Sequence, residues 1–200
     1  TTLALIHVQK LCYAVLKLAT SQKWSSDRKT LLKVAGLFAG VGGFERGLAL
    51  AGHETHFLCE IWEPARAVLE KRMPEVPCER DIRKLKSLPG QIELVVGGFP
   101  CQDLSQAGLT AGINGSRSGL VGEVFRLLDK RRIPWVVLEN VSFMLQLDKG
   151  HAMKTLIDEF EERAFRRIET MCIDALAFQG IKDIAARHQR NLALCRAAAH

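Results

Sequence analysis

The chain has 200 residues, 48% of them hydrophobic and 25% charged, an ordinary globular composition with room for a single domain. Twenty-eight basic against 22 acidic residues give a net charge of +6, which suits a polyanionic partner and equally a solvated basic surface. The six cysteines form no Cys-x-x-Cys pair and have no histidine at ligand spacing, so no metal site is expected, and scattered thiols fit a reducing cytosol or nucleus.

Thr1 to Leu18 is fairly apolar, but Lys10 and Lys17 interrupt it and neither a basic leader nor a cleavage pattern frames it. A signal peptide and a membrane span are therefore not expected. Leu5, Val8, Cys12 and Val15 recur at helical spacing and predict a helix packed on the core. The initial Thr points to a piece of a longer product, and the polar run Ser21 to Thr30 reads as a linker. Strand and helix then alternate. Leu31 to Phe38 is a strand, and a helix begins at Glu45 and reaches Ala51. Thr55 to Cys59 is a second strand, followed by a helix from Pro64 to Arg72 with proline in its first turn. Ile92 to Val96 is a third strand, Gly122 to Lys130 a helix, Trp135 to Leu138 a fourth strand, and Met153 to Arg166 a charged amphipathic helix. This alternation predicts an α/β fold with a mostly parallel sheet and helices on both faces, whose ligands bind beyond the carboxyl ends of the strands.

Three motifs fall at such ends. Phe38-Ala39-Gly40-Val41-Gly42-Gly43 lies between a strand and a helix, where glycines allow a tight turn and a close approach of ligand to backbone amides. Glu60 closes the next strand twenty residues after Gly40, a placement that lets a carboxylate accept from two ribose hydroxyls; a plain solvated acid has the same appearance. Cys101, behind Pro100, sits at a strand-to-loop junction where a thiol can be exposed enough to react. Gly97, Gly98, Phe99 and Gln102 around it turn the reading away from an inert buried thiol. Glu139 and Asn140 end the apolar strand Trp135 to Leu138, where a carboxyl in a partly dry setting can donate a proton.

In order and spacing these motifs resemble the cytosine carbon-5 DNA methyltransferases, over roughly Lys33 to Arg166. The glycine turn looks like the family's first signature, Pro100-Cys101-Gln102 like its nucleophile motif and Glu139-Asn140-Val141 like its acid motif. Cys59-Glu60-Ile61-Trp62-Glu63-Pro64 resembles the cofactor-ribose segment, and Asp81-Ile82 the pair that holds the adenine. The resemblance implies a Rossmann-like S-adenosyl-L-methionine-dependent fold and DNA as substrate. It makes Phe38, Gly40, Gly42, Gly43, Glu60, Ile61, Trp62, Asp81, Ile82 and Pro100 cofactor residues, and Cys101, Gln102, Glu139 and Asn140 catalytic ones. The segment Gln102 to Gly119 is similar to the loop that closes over DNA in this family.

The pattern fades after Phe178. Asp174 to Phe178 looks like the lead-in to a basic motif, but only Arg187 and Arg190 stand where the family carries Gln-Arg-Arg-x-Arg, and they read as a solvated basic tail. The glycine-aromatic step usual near Phe165-Arg166-Arg167-Ile168 is missing. The expected organisation is a helix and linker over 1–30, a catalytic domain over 31–170 and a degenerate or truncated segment over 171–200. The C-terminal part of the fold is then incomplete. A subunit of a split enzyme, a truncated or frameshifted remnant and a segment of a longer product all fit, with the abrupt loss of pattern favouring truncation or frameshift. A methyltransferase missing its recognition half, needing a complementary subunit to read DNA, is the main expectation. A non-catalytic remnant or partner that keeps the cofactor fold is the alternative; an RNA cytosine methyltransferase shares much of the signature, while a dehydrogenase leaves Pro100-Cys101-Gln102 and Glu139-Asn140-Val141 unexplained. The compartment would be the nucleus in a eukaryote and the cytoplasm in a bacterium.

Overall fold

A computed structural model describes residues 31–99, 119–141, 151–174 and 189–197. The helix expected over Thr1 to Leu18, the linker after it, Pro100, Cys101, Gln102 and the loop to Ser118, and Arg187 lie outside the described residues. Seven strands form one sheet: β1 Lys33–Leu37, β2 Glu54–Cys59, β3 Cys78–Glu79, β4 Leu94–Gly98, β5 Trp135–Val141, β6 Phe165–Asp174 and β7 Gln189–Ala197. Among the described residues four α-helices connect them: α1 Gly43–Leu50, α2 Glu63–Arg72, α3 Leu120–Lys130 and α4 His151–Glu162. The order across the sheet is β3-β2-β1-β4-β5-β7-β6, with every neighbouring pair parallel from β3 to β5. The chain therefore reverses its direction of travel between β1 and β4, opening a crevice at the carboxyl ends of those strands.

The central strands are short apolar runs because both faces are covered. Ala35, Leu37, Phe57, Cys59 and Val95 pack with Val124, Phe125 and Leu128 of α3 and Leu156 and Phe160 of α4. On the other face Gly36 meets Leu58 and α1, and the turn into α1 meets Leu69 and Met73 of the α2 segment. Gly97 is required where β1 and β4 run close, since a Cβ there would stand 2.6 Å from the Leu37 carbonyl oxygen.

Two readings of the sequence change here. The helix predicted to reach Arg166 stops at Glu162, because Arg163 and Ala164 close it with amide bonds to Phe160 O and Glu161 O and Ala164 takes φ +60°. The residues after 164, and those around Arg190, are strands rather than a helix end and a loose basic tail. β7 pairs antiparallel with both β5 and β6, so Arg190 lies opposite Val141 and Ile173, and β6 runs across residue 170. Gln189–Ala197 runs from polar to apolar without a period of two and so gave little strand signal; two ladders on either side supply what the local pattern lacks.

α3 and α4 are held by one aromatic and ionic cluster. The Phe160 ring stands edge-on to Phe125 at 5.0 Å and to Phe165 at 5.4 Å, and the Arg163 guanidinium lies 4.8 Å from the Phe125 ring centre while pairing with Asp129 at 2.7 Å. Phe160 is 1% exposed. Truncating it to alanine removes a large buried ring and leaves a cavity, so Phe160→Ala is expected to cost about 3–5 kcal/mol of stability; urea unfolding of the two proteins measures the difference.

Candidate active site

Four strand ends build the crevice. β1 delivers the glycine turn, in which Phe38 takes φ +54°, Gly40 φ +54° and Gly42 φ +82°. Gly42 caps α1, and its amide donates to the Ala39 carbonyl at 2.9 Å. A Cβ on Gly42 would press on Leu69 and Met73, both at 3.0 Å, so the turn sits tightly against α2. A Cβ on Gly40 would meet nothing within 4 Å, so this side of the turn is open.

β2 delivers Glu60, only 8% exposed. One carboxylate oxygen accepts from the Gly40 amide at 2.7 Å and the other from the Trp62 amide at 2.7 Å. Each oxygen keeps a lone pair for a further donor. Ile61 and Trp62 beside it are 55% and 63% exposed, large apolar surfaces at the rim of the crevice. Past β3, Asp81 caps a 3-10 turn, Ile82–Lys84. Its carboxylate accepts from the Arg83 amide and from the Arg83 guanidinium at 2.8 Å on both oxygens. These bonds hold the Asp81 carboxyl down at about 2. Ile82 is buried.

β4 and β5 deliver the second half. Gly98 is paired with Glu139, and a Cβ on Gly98 would stand 2.9 Å from Glu139 Oε2, so glycine leaves room for the acid. Glu139 is 8% exposed and thus held against the strand that leads into Pro100 and Cys101. Asn140 is buried and its side-chain amide donates to the Phe99 carbonyl at 2.8 Å, pinning the backbone one residue before Pro100. The geometry therefore brings Gly40, Gly42, Glu60, Trp62, Asp81, Glu139 and Asn140 to one end of the sheet. Cys59, by contrast, is a buried thiol pushed up to about 12 by desolvation, next to the acids Glu60, Glu79 and Asp81. Among the described residues no cluster of His, Cys, Asp and Glu could hold a metal ion, and no helix is long and apolar enough to cross a membrane.

One residue of this site escaped the sequence reading. Glu45, in the first turn of α1, is 1% exposed; its carboxyl lies under Gly36, where any Cβ would land on it, and Oε2 has no hydrogen-bond partner. Burial, with a smaller contribution from Glu60, raises its pKa to about 7. The signal was present in the spacing: Glu45 stands three residues before buried Leu48, on the helix's inner face.

A glycine turn after β1 and an acid after β2, on a parallel sheet covered by helices on both faces, define a Rossmann-like fold of the methyltransferase kind. The solved structure of S. pombe Dnmt2 methyltransferase shares it, with a TM-score of 0.62 over 86% of this chain and 51% of that one at 16% identity. Residues 32–178 match the model of the C-5 cytosine-specific DNA methylases, and the chain belongs to that family. Its relatives include the Type II methyltransferase M2.BsuMI of Bacillus subtilis (strain 168), 46% identical over 149 residues covering 70% of this chain and 38% of that protein. Another is the Type II methyltransferase M1.ScrFI of Lactococcus lactis subsp. cremoris, 32% identical over 74% of this chain and 39% of that protein. The chain thus spans about two fifths of the length of these relatives.

Burial of Glu45 makes stability depend on pH. Its folded pKa, about 7, lies above the ordinary 4.5, so folding favours the neutral form. Its contribution is fully present below about 4.5 and is lost as pH rises through 7. Between pH 5 and pH 8 the wild type should lose about 2–3 kcal/mol relative to Glu45→Gln, which carries no titrating group there. Denaturant unfolding of both proteins at the two pH values checks this.

Proposed function

We propose that this chain is the cofactor-binding and catalytic part of a cytosine carbon-5 DNA methyltransferase using S-adenosyl-L-methionine. The observation that carries the reading is the Glu60 carboxylate. It is fixed by the Gly40 and Trp62 amides at 2.7 Å each, with lone pairs to spare beside a turn whose Gly40 side is open. Two neighbouring ribose hydroxyls fit such an acceptor pair, and the exposed Trp62 ring fits the flat face of an adenine. Asp81 and Ile82 would take the polar edge of that base, with Arg83 sharing the Asp81 carboxylate. When bound, the cofactor supplies an electrophilic methyl group.

The protein's own residues prepare cytosine to receive it. Cys101, as thiolate, adds to ring carbon 6; the electron pair of the 5,6 double bond moves toward carbon 5, which then takes the methyl group. Glu139 protonates or hydrogen-bonds ring nitrogen 3 and so absorbs charge as the adduct forms. Loss of the proton from carbon 5 restores the double bond and expels the Cys101 sulfur. Gln102 stands beside the nucleophile as a polar contact for the base or its backbone. Asn140 acts as a positioning residue, through its bond to the Phe99 carbonyl, for the backbone that bears Cys101. None of this can reach a stacked base, so the target cytosine is turned out of the duplex into the crevice.

A second reading is favoured by the family match stopping at residue 178 while the chain runs on to residue 200: a subunit that holds cofactor and methylates only with a complementary polypeptide that reads DNA. Calorimetric titration with S-adenosylhomocysteine, and radiolabelled methyl transfer to DNA with and without the C-terminal half of M2.BsuMI, separate the two. Cofactor-product binding is expected in either case. Glu60→Ala should weaken it by about tenfold or more through loss of charge-assisted acceptors. Cys101→Ser should leave binding within about twofold of wild type while removing methyl transfer. Tight binding by Glu60→Ala, or methylation by Cys101→Ser, would remove the corresponding assignment.

A further inference from the structure

The guanidinium of Arg126 on α3 spans from that helix to the turn that carries Asp81 and Ile82. Its Nη1 donates to the Leu85 carbonyl at 2.8 Å, its Nη2 to the Ile82 carbonyl at 3.0 Å, and its Nε to Glu123 Oε2 at 2.6 Å. A 3-10 turn of three residues leaves most of its carbonyls without partners of its own. Ile82 O receives only the Leu85 amide, at 3.1 Å, from within the turn. Arg126 supplies the rest as a rigid planar fork, and Glu123, one helical turn earlier, fixes the plane of that fork. The apolar sides of the same residues are locked as well, since Ile82 and Leu85 share a core with Val121, Val124, Phe125 and Leu128.

Arg126 carries no part in the chemistry above. Its bonds go to the two backbone carbonyls that set where the Ile82 amide and the Asp81 side chain lie.

We infer that Arg126, oriented by Glu123, is a positioning residue for base recognition. By clamping the Ile82 and Leu85 carbonyls it holds the Asp81–Ile82 pair in the place where a carboxylate meets a 6-amino donor and a backbone amide meets a ring nitrogen. This rests on the reading of Asp81 and Ile82 as the adenine contacts. A 6-amino purine and its 6-oxo counterpart differ at one edge: the amino group donates to a carboxylate, whereas the oxo group repels it and its ring nitrogen becomes a donor. A site held in register by Arg126 discriminates between them, and one released from the clamp does not.

The experiment is calorimetric titration of S-adenosylhomocysteine and S-inosylhomocysteine into wild type, Arg126→Gln, Arg126→Lys and Glu123→Gln. Wild type is expected to prefer the adenosyl ligand by about tenfold or more. Arg126→Gln should lose most of that preference, with the adenosyl ligand weakened and the inosyl ligand changed by about threefold at most. Lysine keeps the charge without the fork, so Arg126→Lys should lose the preference too. Glu123→Gln, which keeps a neutral acceptor, should lie between. General loosening of the domain would weaken both ligands together and leave the ratio intact. A wild-type ratio retained in the folded variants overturns the role of Arg126, and if Arg126→Gln fails to fold, Arg126→Lys and Glu123→Gln decide. Equal binding of the two ligands by wild type overturns the adenine reading of Asp81 and Ile82, and the role of Arg126 falls with it.

Discussion

The Glu60 carboxylate joins two loops, accepting from the Gly40 amide on one oxygen and the Trp62 amide on the other, each at 2.7 Å. Charge-assisted bonds of this kind are about twice as strong as neutral ones, and here they work in a nearly dry setting. The glycine turn is a segment whose positive φ angles give it few alternatives once Gly40 is held, and it is packed from behind by Leu69 and Met73. Fixing Gly40 therefore fixes the start of α1. Fixing Trp62 fixes the start of α2, whose first turn holds Pro64. One side chain thus sets the two helix entrances that flank the open side of the crevice, and the rest of the cofactor end of the sheet depends on it.

α3 does for the other half of the crevice what Glu60 does for the first. On its front, Arg126 reaches forward to the 3-10 turn after β3; at its back, Asp129 and Phe125 receive Arg163 and Phe160 from α4. Its first turn follows the segment opened by Pro100 and Cys101. A helix tied at both ends to its neighbours is a fixed post in this half of the crevice. On the other side of that segment Asn140 anchors the departure through the Phe99 carbonyl.

Much of this was legible in the residues. Alternation of short β-branched runs with amphipathic segments sufficed for β1, β2, β4, β5 and the four helices, because each is long enough for its own period to speak. Glu60, Glu139 and the glycine turn were legible for a different reason: they stand at strand ends, where a special residue type has few structural excuses. β3, two residues long, has no period at all, and the 3-10 turn after it is too short to have one. β6 and β7 were not legible because each is completed by antiparallel pairing with a strand that no local period announces. Arg126 and Glu123 were invisible since an i, i+3 ion pair on a helix is the commonest of surface patterns, and only the fold shows two carbonyls waiting at its end.

Glu45, in the first turn of α1, and Glu60, just past β2, are two carboxyls with different surroundings. Glu60 is an acceptor for two amides, one on each oxygen. Glu45 has an oxygen with no partner at all beneath a strand glycine, so its neutral form is favoured up to about 7. Gly36 is the condition for this arrangement, because any side chain there would displace the Glu45 carboxyl. A neutral Glu45 is therefore the form that packing under Gly36 favours, and the nearby Glu60 adds a smaller push in the same direction.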